Sequence, residues 1–506
     1  MAITFTDITV WDTGEHIDLT VPDPRDVTID ASALTVAPGF EDPHVHFRDP
    51  GQTYKESMVS GCMAAASGGY TNVLIMPNTV PAMDGLQVHE GEPGAQEILD
   101  AGYHTVIDYL QHYEQIHHVT LPVRYELCVC ATKGRAGLEP TDPKDWAWYM
   151  PGHDSEKDPA QIAHPVTAMS DDGSAVPEPV LRQVFDNVKS TGLYLIEHCE
   201  HHDVGAVNEG PVSHALNVPG IPEDTELAIV QRDIDLVRET GVHVHFQHVS
   251  TAISFDAIRN AKAEGLPITC ETAPHYLALN DEALLEYGTL AKMNPPLRGE
   301  RDRLATIKAI EDGTVDMIAT DHAPHTLEEK ARGFLEAPNG IIGLECAYAV
   351  CHKVLVDGGH ISDQRLIELM SLNPAQLMGR HSTDIAALLN TSSKCAVKRS
   401  LNLAEVEHPE LVDLNILNTT EQWSIDAGRF LSKARNTPFN GWDVSGKPYA
   451  TIIASALVFD RLGFDEATET ETGEKRLWTG SSKQSKTNRI PVSWALTPPT
   501  NSFPPP

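Results

Sequence analysis

Cysteine is scarce and scattered in this chain. Eight residues in 506 are cysteine (Cys62, Cys128, Cys130, Cys199, Cys270, Cys346, Cys351 and Cys395), and no two form a C-x-x-C pair. In a chain of this length they read as reduced, buried thiols of a cytoplasmic enzyme. Long apolar runs are missing as well: no stretch approaches the ~18 uninterrupted apolar residues of a membrane helix. The opening Met1-Ala2-Ile3-Thr4-Phe5-Thr6-Asp7 has no basic region followed by an apolar one, so no signal peptide is expected. Basic residues are in short supply. The 37 Lys and Arg stand against 72 Asp and Glu, for a net charge of −35. That argues against nucleic acid or an anionic membrane as partner, since both select basic patches. It leaves room for a small anion in a local basic pocket.

What is present suffices for a large core: 41% of residues are hydrophobic and 22% charged. Residues 1–37 read as short β segments broken by turns. They are too few to fold alone, and residues 405–460 show the same character, so the two are expected to complete one small β-sandwich domain. Between them the pattern changes to strands alternating with helices. Strands are expected at 71–76, 104–109, 125–130, 192–197, 242–247, 267–271 and 315–319. Helices are expected at 56–67, 95–101, 179–190, 226–239, 254–263 and 301–311. This order implies parallel strands with helical crossovers, and about eight such units over 38–380 define a (β/α)8 barrel of the α/β class. Residues 381–404 read as an insertion or linker. Residues 461–506 read as a polar, mobile tail.

The stretch Pro38-Gly39-Phe40-Glu41-Asp42-Pro43-His44-Val45-His46-Phe47-Arg48-Asp49-Pro50-Gly51 organises the rest. On an extended segment residues i and i+2 share a face, so His44 and His46 can aim two imidazoles at one metal ion. Arg48 follows, on the same face if the strand continues, and can hold an anion beside the metal. In a chain with 24 histidines one His-x-His could be chance. The other strand ends decide the matter, because a barrel of this kind works at the C-terminal ends of its strands. Asn78 follows the strand ending at Met76. Asp171-Asp172-Gly173 follows 166–170. His198 follows Glu197, His248 follows Gln247, and Asp321-His322 follows Thr320. Four histidines and at least two aspartates on one rim exceed what one zinc needs and suit two metals sharing a carboxylate. Such a pair lowers the pKa of a bridging water and polarises a carbonyl. Asp321, closing its apolar strand, is the best candidate to take the proton and return it to a leaving nitrogen. The expected reaction makes or breaks an amide-like bond.

These segments resemble the dihydroorotase family of cyclic amidohydrolases. Beside 38–51, the segments Met76-Pro77-Asn78-Thr79, Glu197-His198-Cys199-Glu200, His248-Val249-Ser250-Thr251, Lys292-Met293-Asn294-Pro295-Pro296-Leu297-Arg298, Ala319-Thr320-Asp321-His322-Ala323-Pro324-His325, Ala337-Pro338-Asn339-Gly340 and Ser432-Lys433-Ala434-Arg435-Asn436-Thr437-Pro438-Phe439 follow in family order. The resemblance spans roughly residues 33–455. It implies that His44 and His46 bind one zinc, that His198 and His248 bind a second, and that a carboxylate bridges them. In many relatives the bridge is a carboxylated lysine. The subgroup with Ser/Thr-Asp-Asp-Gly uses aspartate, and this chain has Ser170-Asp171-Asp172-Gly173. Spacing to the next histidine favours Asp172, with Asp171 open; Lys133 lies too far before His198. By the same resemblance Asp321 is a metal ligand and the general acid/base. Arg48, Asn78 and His325 hold the substrate carboxylate, with His46, Phe47, Asn294, Asn339 and Gly340 lining the ring. The implied reaction is reversible closure of N-carbamoyl-L-aspartate to dihydroorotate, with aspartate transcarbamoylase and a second copy of the chain as candidate partners. Asn339 stands where the family has an aromatic. The segments 112–165 and 381–405 look enlarged. Two alternatives remain: an allantoinase- or hydantoinase-like enzyme, against which Arg48 argues because a neutral ring needs no cation, and a silent scaffold for the transcarbamoylase.

Overall fold

The computed structural model describes residues 1–151, 162–200, 205–391 and 399–462. Four strands open the chain: β1 (Ala2–Val10), β2 (His16–Pro22), β3 (Val27–Asp30) and β4 (Thr35–Pro38). Alternation buries Ile3 and Phe5, then slips by one residue at a bulge before Ile8 and Val10, where Asp7 takes φ 66°. Gly39 separates β4 from the next strand. A Cβ there would sit 2.3 Å from the Thr71 side chain, so only glycine lets the two layers meet so closely.

The barrel follows: β5 (Phe40–Val45), β6 (Tyr70–Ile75), β7 (Arg124–Cys130), β8 (Val166–Ser170) and β9 (Tyr194–Glu197). A small parallel pair, β10 (Val207–Asn208) and β11 (Gly220–Ile221), precedes β12 (Val244–Phe246), β13 (Ile268–Thr272) and β14 (Met317–Ile318). Apart from that pair, β5 to β14 form one parallel sheet in chain order. The strands are buried almost throughout, as parallel strands covered on both faces must be. Side-chain and backbone contacts close the ring between β5 and the segment after β14. The Asp42 carboxylate accepts from Thr320 N (3.2 Å) and Thr320 Oγ1 (2.5 Å), and His46 N donates to His322 O (3.0 Å). The expected (β/α)8 barrel is therefore present.

The chain then returns to the first sheet with β15 (Ser400–Asn402), β16 (Leu414–Ser424), β17 (Asp443–Ile453) and β18 (Ala456–Asp460), in the order β15-β2-β1-β4-β16-β17-β18 with β3 beside β1. Phe5, Leu19, Val36, Ile416 and Ile452 share its core.

Two sequence expectations need correction. Residues 104–109 are not a strand: a helix, Val106–Gln111, begins after Thr105, whose hydroxyl accepts from Asp108 N at 3.0 Å. Val106, Ile107, Tyr109 and Leu110 are buried at i, i+1, i+3 and i+4, a helical face that the apolar run concealed. Residues 385–404 are not simply a loop. A helix, Ile385–Thr391, and β15 dock on the small sheet, burying Ile385, Leu389 and Leu401 in its core. Of the expected tail, 463–506 lies outside the described residues.

One contact ties the barrel wall to the His-x-His strand. The helix Met58–Ser67, capped by Ser57, places Gly61 against the Phe47 ring, where a Cβ would be 2.5 Å from Cδ1. Gly61→Val should therefore destabilise by about 1–3 kcal/mol through overpacking. Calorimetry should show a lowered Tm, and an unchanged Tm would contradict this account of the wall.

Candidate metal centre and anion cleft

Each histidine arrives from a strand end, and the structure brings all four together. Ring centroids run His46 to His44 at 5.2 Å, His44 to His248 at 5.1 Å, and His248 to His198 at 4.7 Å. Two carboxylates face them. Asp172 Oδ1 lies 3.2 Å from His44 Nε2 and its Oδ2 3.7 Å from His46 Nε2. Asp321 Oδ1 lies 3.1 Å from His46 Nε2 and 3.5 Å from His44 Nε2. Donor atoms of His44, His46 and Asp172 all fall within 4.8 Å of one another, close enough for one cation. All of these residues are buried.

The remaining ring nitrogens show which way the imidazoles are set. His44 Nδ1 pairs with Glu271 Oε1 at 2.8 Å, and Glu271 Oε2 takes His245 Nε2 at 3.1 Å. His46 Nδ1 pairs with Asn78 Oδ1 at 2.8 Å, while Asn78 Nδ2 donates to Asp172 Oδ2 at 2.7 Å. Both rings thus spend Nδ1 on an outer partner and turn Nε2 inward, the arrangement of metal-ligating histidines. The buried His248 Nδ1 has no hydrogen-bond partner, which suits a metal-ligating atom. By donor chemistry and by this orphaned nitrogen, the residues fit a metal centre.

Electrostatics agree. Burial opposes charge on His44, but Asp321, Asp172 and Glu271 outweigh it and raise its pKa well above the ordinary value. Against burial, His46, His44 and His198 hold Asp172 well below the usual carboxylate range, and His44, His46 and His248 do the same for Asp321. Glu271 is held down to about 2 by His245 and His44, again against its burial. Three residues here sit in the left-handed backbone region: Arg48 at φ 60°, His248 at 27° and Asp321 at 45°. Each such residue costs about 1–3 kcal/mol, strain that concentrates where side chains must be aimed.

The other candidates divide. Asp171 turns away from the histidines; its carboxylate accepts from Thr132 N at 2.9 Å and from the Thr132 hydroxyl. Lys133 is in solvent, paired with Glu139 at 2.9 Å. Arg48 Nη2 lies 3.4 Å from His325 Nε2. Asn294 and Asn339 line one small pocket with Ala206, Ile221 and Met293. Gly340 backs His325, since a Cβ there would come within 2.8 Å of the His325 ring. Phe47 needs correction as a ring-lining side chain. Beyond the end of β5 it is fully buried, packed against Gly61 and edge-on to His322.

Several residues escaped sequence reasoning. Glu271 and His245 stand behind His44. Their signal was ionisable side chains on the buried parallel strands 244–246 and 268–272, where Glu271 lies two residues beyond Thr269, the residue paired with His245. Asn436 staples the His325 loop: its Nδ2 donates to Ala323 O and Gly340 O, both at 3.0 Å, and its Oδ1 accepts from His325 N at 3.0 Å. Its place within the segment 432–439 was visible, but not what it holds.

A parallel barrel with a His-x-His strand and a rim of histidine and aspartate defines a class of metal-dependent hydrolases, and the chain belongs to the amidohydrolase family, whose model matches residues 35–386. Within it, the chain is 36% identical over 444 residues to a dihydroorotase of Geobacter metallireducens, covering 86% of this chain and 90% of that one. It is 37% identical over 447 residues to a dihydroorotase of Lactiplantibacillus plantarum, covering 87% and 90%. The fold is shared with an L-hydantoinase (dihydropyrimidinase) from Arthrobacter aurescens, with a TM-score of 0.67 and 21% identity over 94% of this chain and 99% of that one.

Two outcomes follow for the metal. Glu271→Gln should weaken divalent-metal binding about 10–100-fold in chelator competition, because the carboxylate behind a ligating histidine sets its orientation and basicity; undiminished affinity would remove Glu271 from that role. Metal affinity should also fall as pH falls. A cation must displace the proton that Asp321, Asp172 and Glu271 stabilise on His44, so acid favours the metal-free form. Chelator competition across pH checks this, and a flat profile would contradict it.

Proposed function

We propose that this chain is a zinc-dependent dihydroorotase, closing N-carbamoyl-L-aspartate reversibly to dihydroorotate and water in the route to pyrimidine nucleotides. The observation that carries this reading is Arg48. It follows the His44–His46 segment at a left-handed bend (φ 60°), its guanidinium faces His325 at 3.4 Å, and its buried Nε has no hydrogen-bond partner. A half-buried guanidinium beside the candidate metal centre suits an anionic substrate, because guanidinium grips carboxylate with two parallel hydrogen bonds. A hydantoin or dihydrouracil ring carries no such group, so the shared fold with hydantoinases does not outweigh Arg48.

In this reading His44, His46, His198, His248, Asp172 and Asp321 would hold two zinc ions. Bound there, the metals supply an activated water and polarise the ring carbonyl. Arg48, Asn78 and His325 hold the substrate carboxylate, and Asn294, Asn339 and Gly340 bound the far side of the ring. As a metal ligand Asp321 must be deprotonated, and so it enters hydrolysis as a base. It takes the proton of the attacking water and delivers it to the ring nitrogen as the C–N bond breaks. In the closing direction it takes a proton from the carbamoyl nitrogen and gives it to the departing hydroxide. A cytoplasmic setting, self-association and assembly with aspartate transcarbamoylase belong to the same proposal. The silent-scaffold alternative is disfavoured, because the full ligand set is present.

The test is hydrolysis of dihydroorotate by zinc-loaded protein. Asp321→Ala should lower kcat by roughly 10²–10⁴-fold, and Arg48→Met should raise KM for dihydroorotate. No turnover of dihydroorotate by the zinc-loaded wild type, alone and with added transcarbamoylase, would overturn the reading.

A further inference from the structure

His325 stands between two cations. Arg48 Nη2 is 3.4 Å from its Nε2, and Lys55 Nζ is 3.4 Å from its Nδ1. A neutral imidazole has one N–H and one lone pair, so it can accept from only one of them. Lys55 is buried and held in place by Glu329 Oε1 at 3.2 Å. The competing partner for Nδ1 is Glu329 Oε2, at 3.6 Å, but that oxygen already accepts Thr326 N at 3.1 Å. The ring has little freedom to turn over, with its backbone N on Asn436 and Gly340 against its Cδ2 face.

We propose that Lys55 is a positioning residue for the anion cleft: by donating to His325 Nδ1 it fixes the tautomer with hydrogen on Nε2, so that His325 and Arg48 present converging donors to one carboxylate. With the hydrogen on Nε2, the His325 and Arg48 donors face each other at 3.4 Å and neither satisfies the other. A carboxylate oxygen between them satisfies both, and the unpartnered Arg48 Nε offers a further donor. The ring stays neutral, because burial and the neighbouring Arg48 and Lys55 push its pKa well below the ordinary value. Lys55 therefore selects an acid-bearing ring over a neutral one without touching it. The substrate half of this inference rests on the dihydroorotase reading; the tautomer half does not.

The experiment uses zinc-loaded full-length protein in two arms. In the first, two-bond ¹H–¹⁵N correlation of the imidazoles, with His325→Gln to assign the signal, reads the tautomer. Wild type should show the Nε2–H pattern and Lys55→Met the Nδ1–H pattern. In the second, Lys55→Met should raise KM for dihydroorotate about tenfold or more, the loss of one charge-assisted hydrogen bond. Its kcat should change less than about threefold, marking lost binding rather than lost chemistry. Any turnover of neutral dihydrouracil should be unchanged, and Lys55→Arg should restore most of the loss. A wild-type Nδ1–H pattern, an unchanged KM, or equal losses on both rings would overturn the proposal. If the wild type fails to hydrolyse dihydroorotate at all, the functional reading fails, and the tautomer arm still decides the role of Lys55. If Lys55→Met fails to fold, the wild-type tautomer and the Lys55→Arg kinetics decide it.

Discussion

The rim of this barrel depends on how buried imidazoles and carboxylates are paired. His44 touches three carboxylates, those of Glu271, Asp172 and Asp321. In a water-poor interior such charges are tolerable only when each has a partner, and removing one member leaves the rest exposed to their desolvation cost. The division of labour follows. Glu271, backed by His245, takes Nδ1 of His44 from outside, and Asp172 and Asp321 face Nε2 from inside. A ring anchored on one nitrogen has only the other to offer a cation.

The barrel supplies the geometry that makes this possible. Asp42 ties β5 to Thr320 beyond β14, joining the strand that carries His44 and His46 to the loop that carries Asp321. Without that closure the two halves of the cluster would belong to opposite edges of an open sheet. The left-handed backbone at Arg48, His248 and Asp321 shows where the frame bends the chain against its preference to aim a side chain. The cluster of Arg48, His325 and Lys55 is built on the same frame: His325 is held by Asn436 and Gly340, and Lys55 by Glu329.

Much of this was legible in the sequence, for physical reasons. His44 and His46 could be paired because strand side chains alternate; Arg48 could not be placed by that rule, since β5 ends at Val45 and Arg48 turns left-handed at φ 60°. The barrel could be read because parallel strands appear as short apolar runs between helical stretches. The choice of Asp172 over Asp171 was not settled by pattern: adjacent carboxylates point opposite ways, and only the Thr132 contact shows which one turns aside. Glu271, Asn436 and Lys55 stayed hidden for another reason. Their roles are set by partners 227, 111 and 270 residues away, and no local spacing records such contacts. The 104–109 segment misled because a continuous apolar run has no period, and Thr105 as helix cap was the cue that outweighed β propensity.

The most direct test is anomalous diffraction at the zinc edge from crystals of zinc-loaded protein. The account predicts two peaks flanking the Asp172 carboxylate, one beside His44, His46 and Asp321 and the other beside His198 and His248. A metal bound away from Asp172, or a zinc held by Asp171 or Lys133, would contradict it.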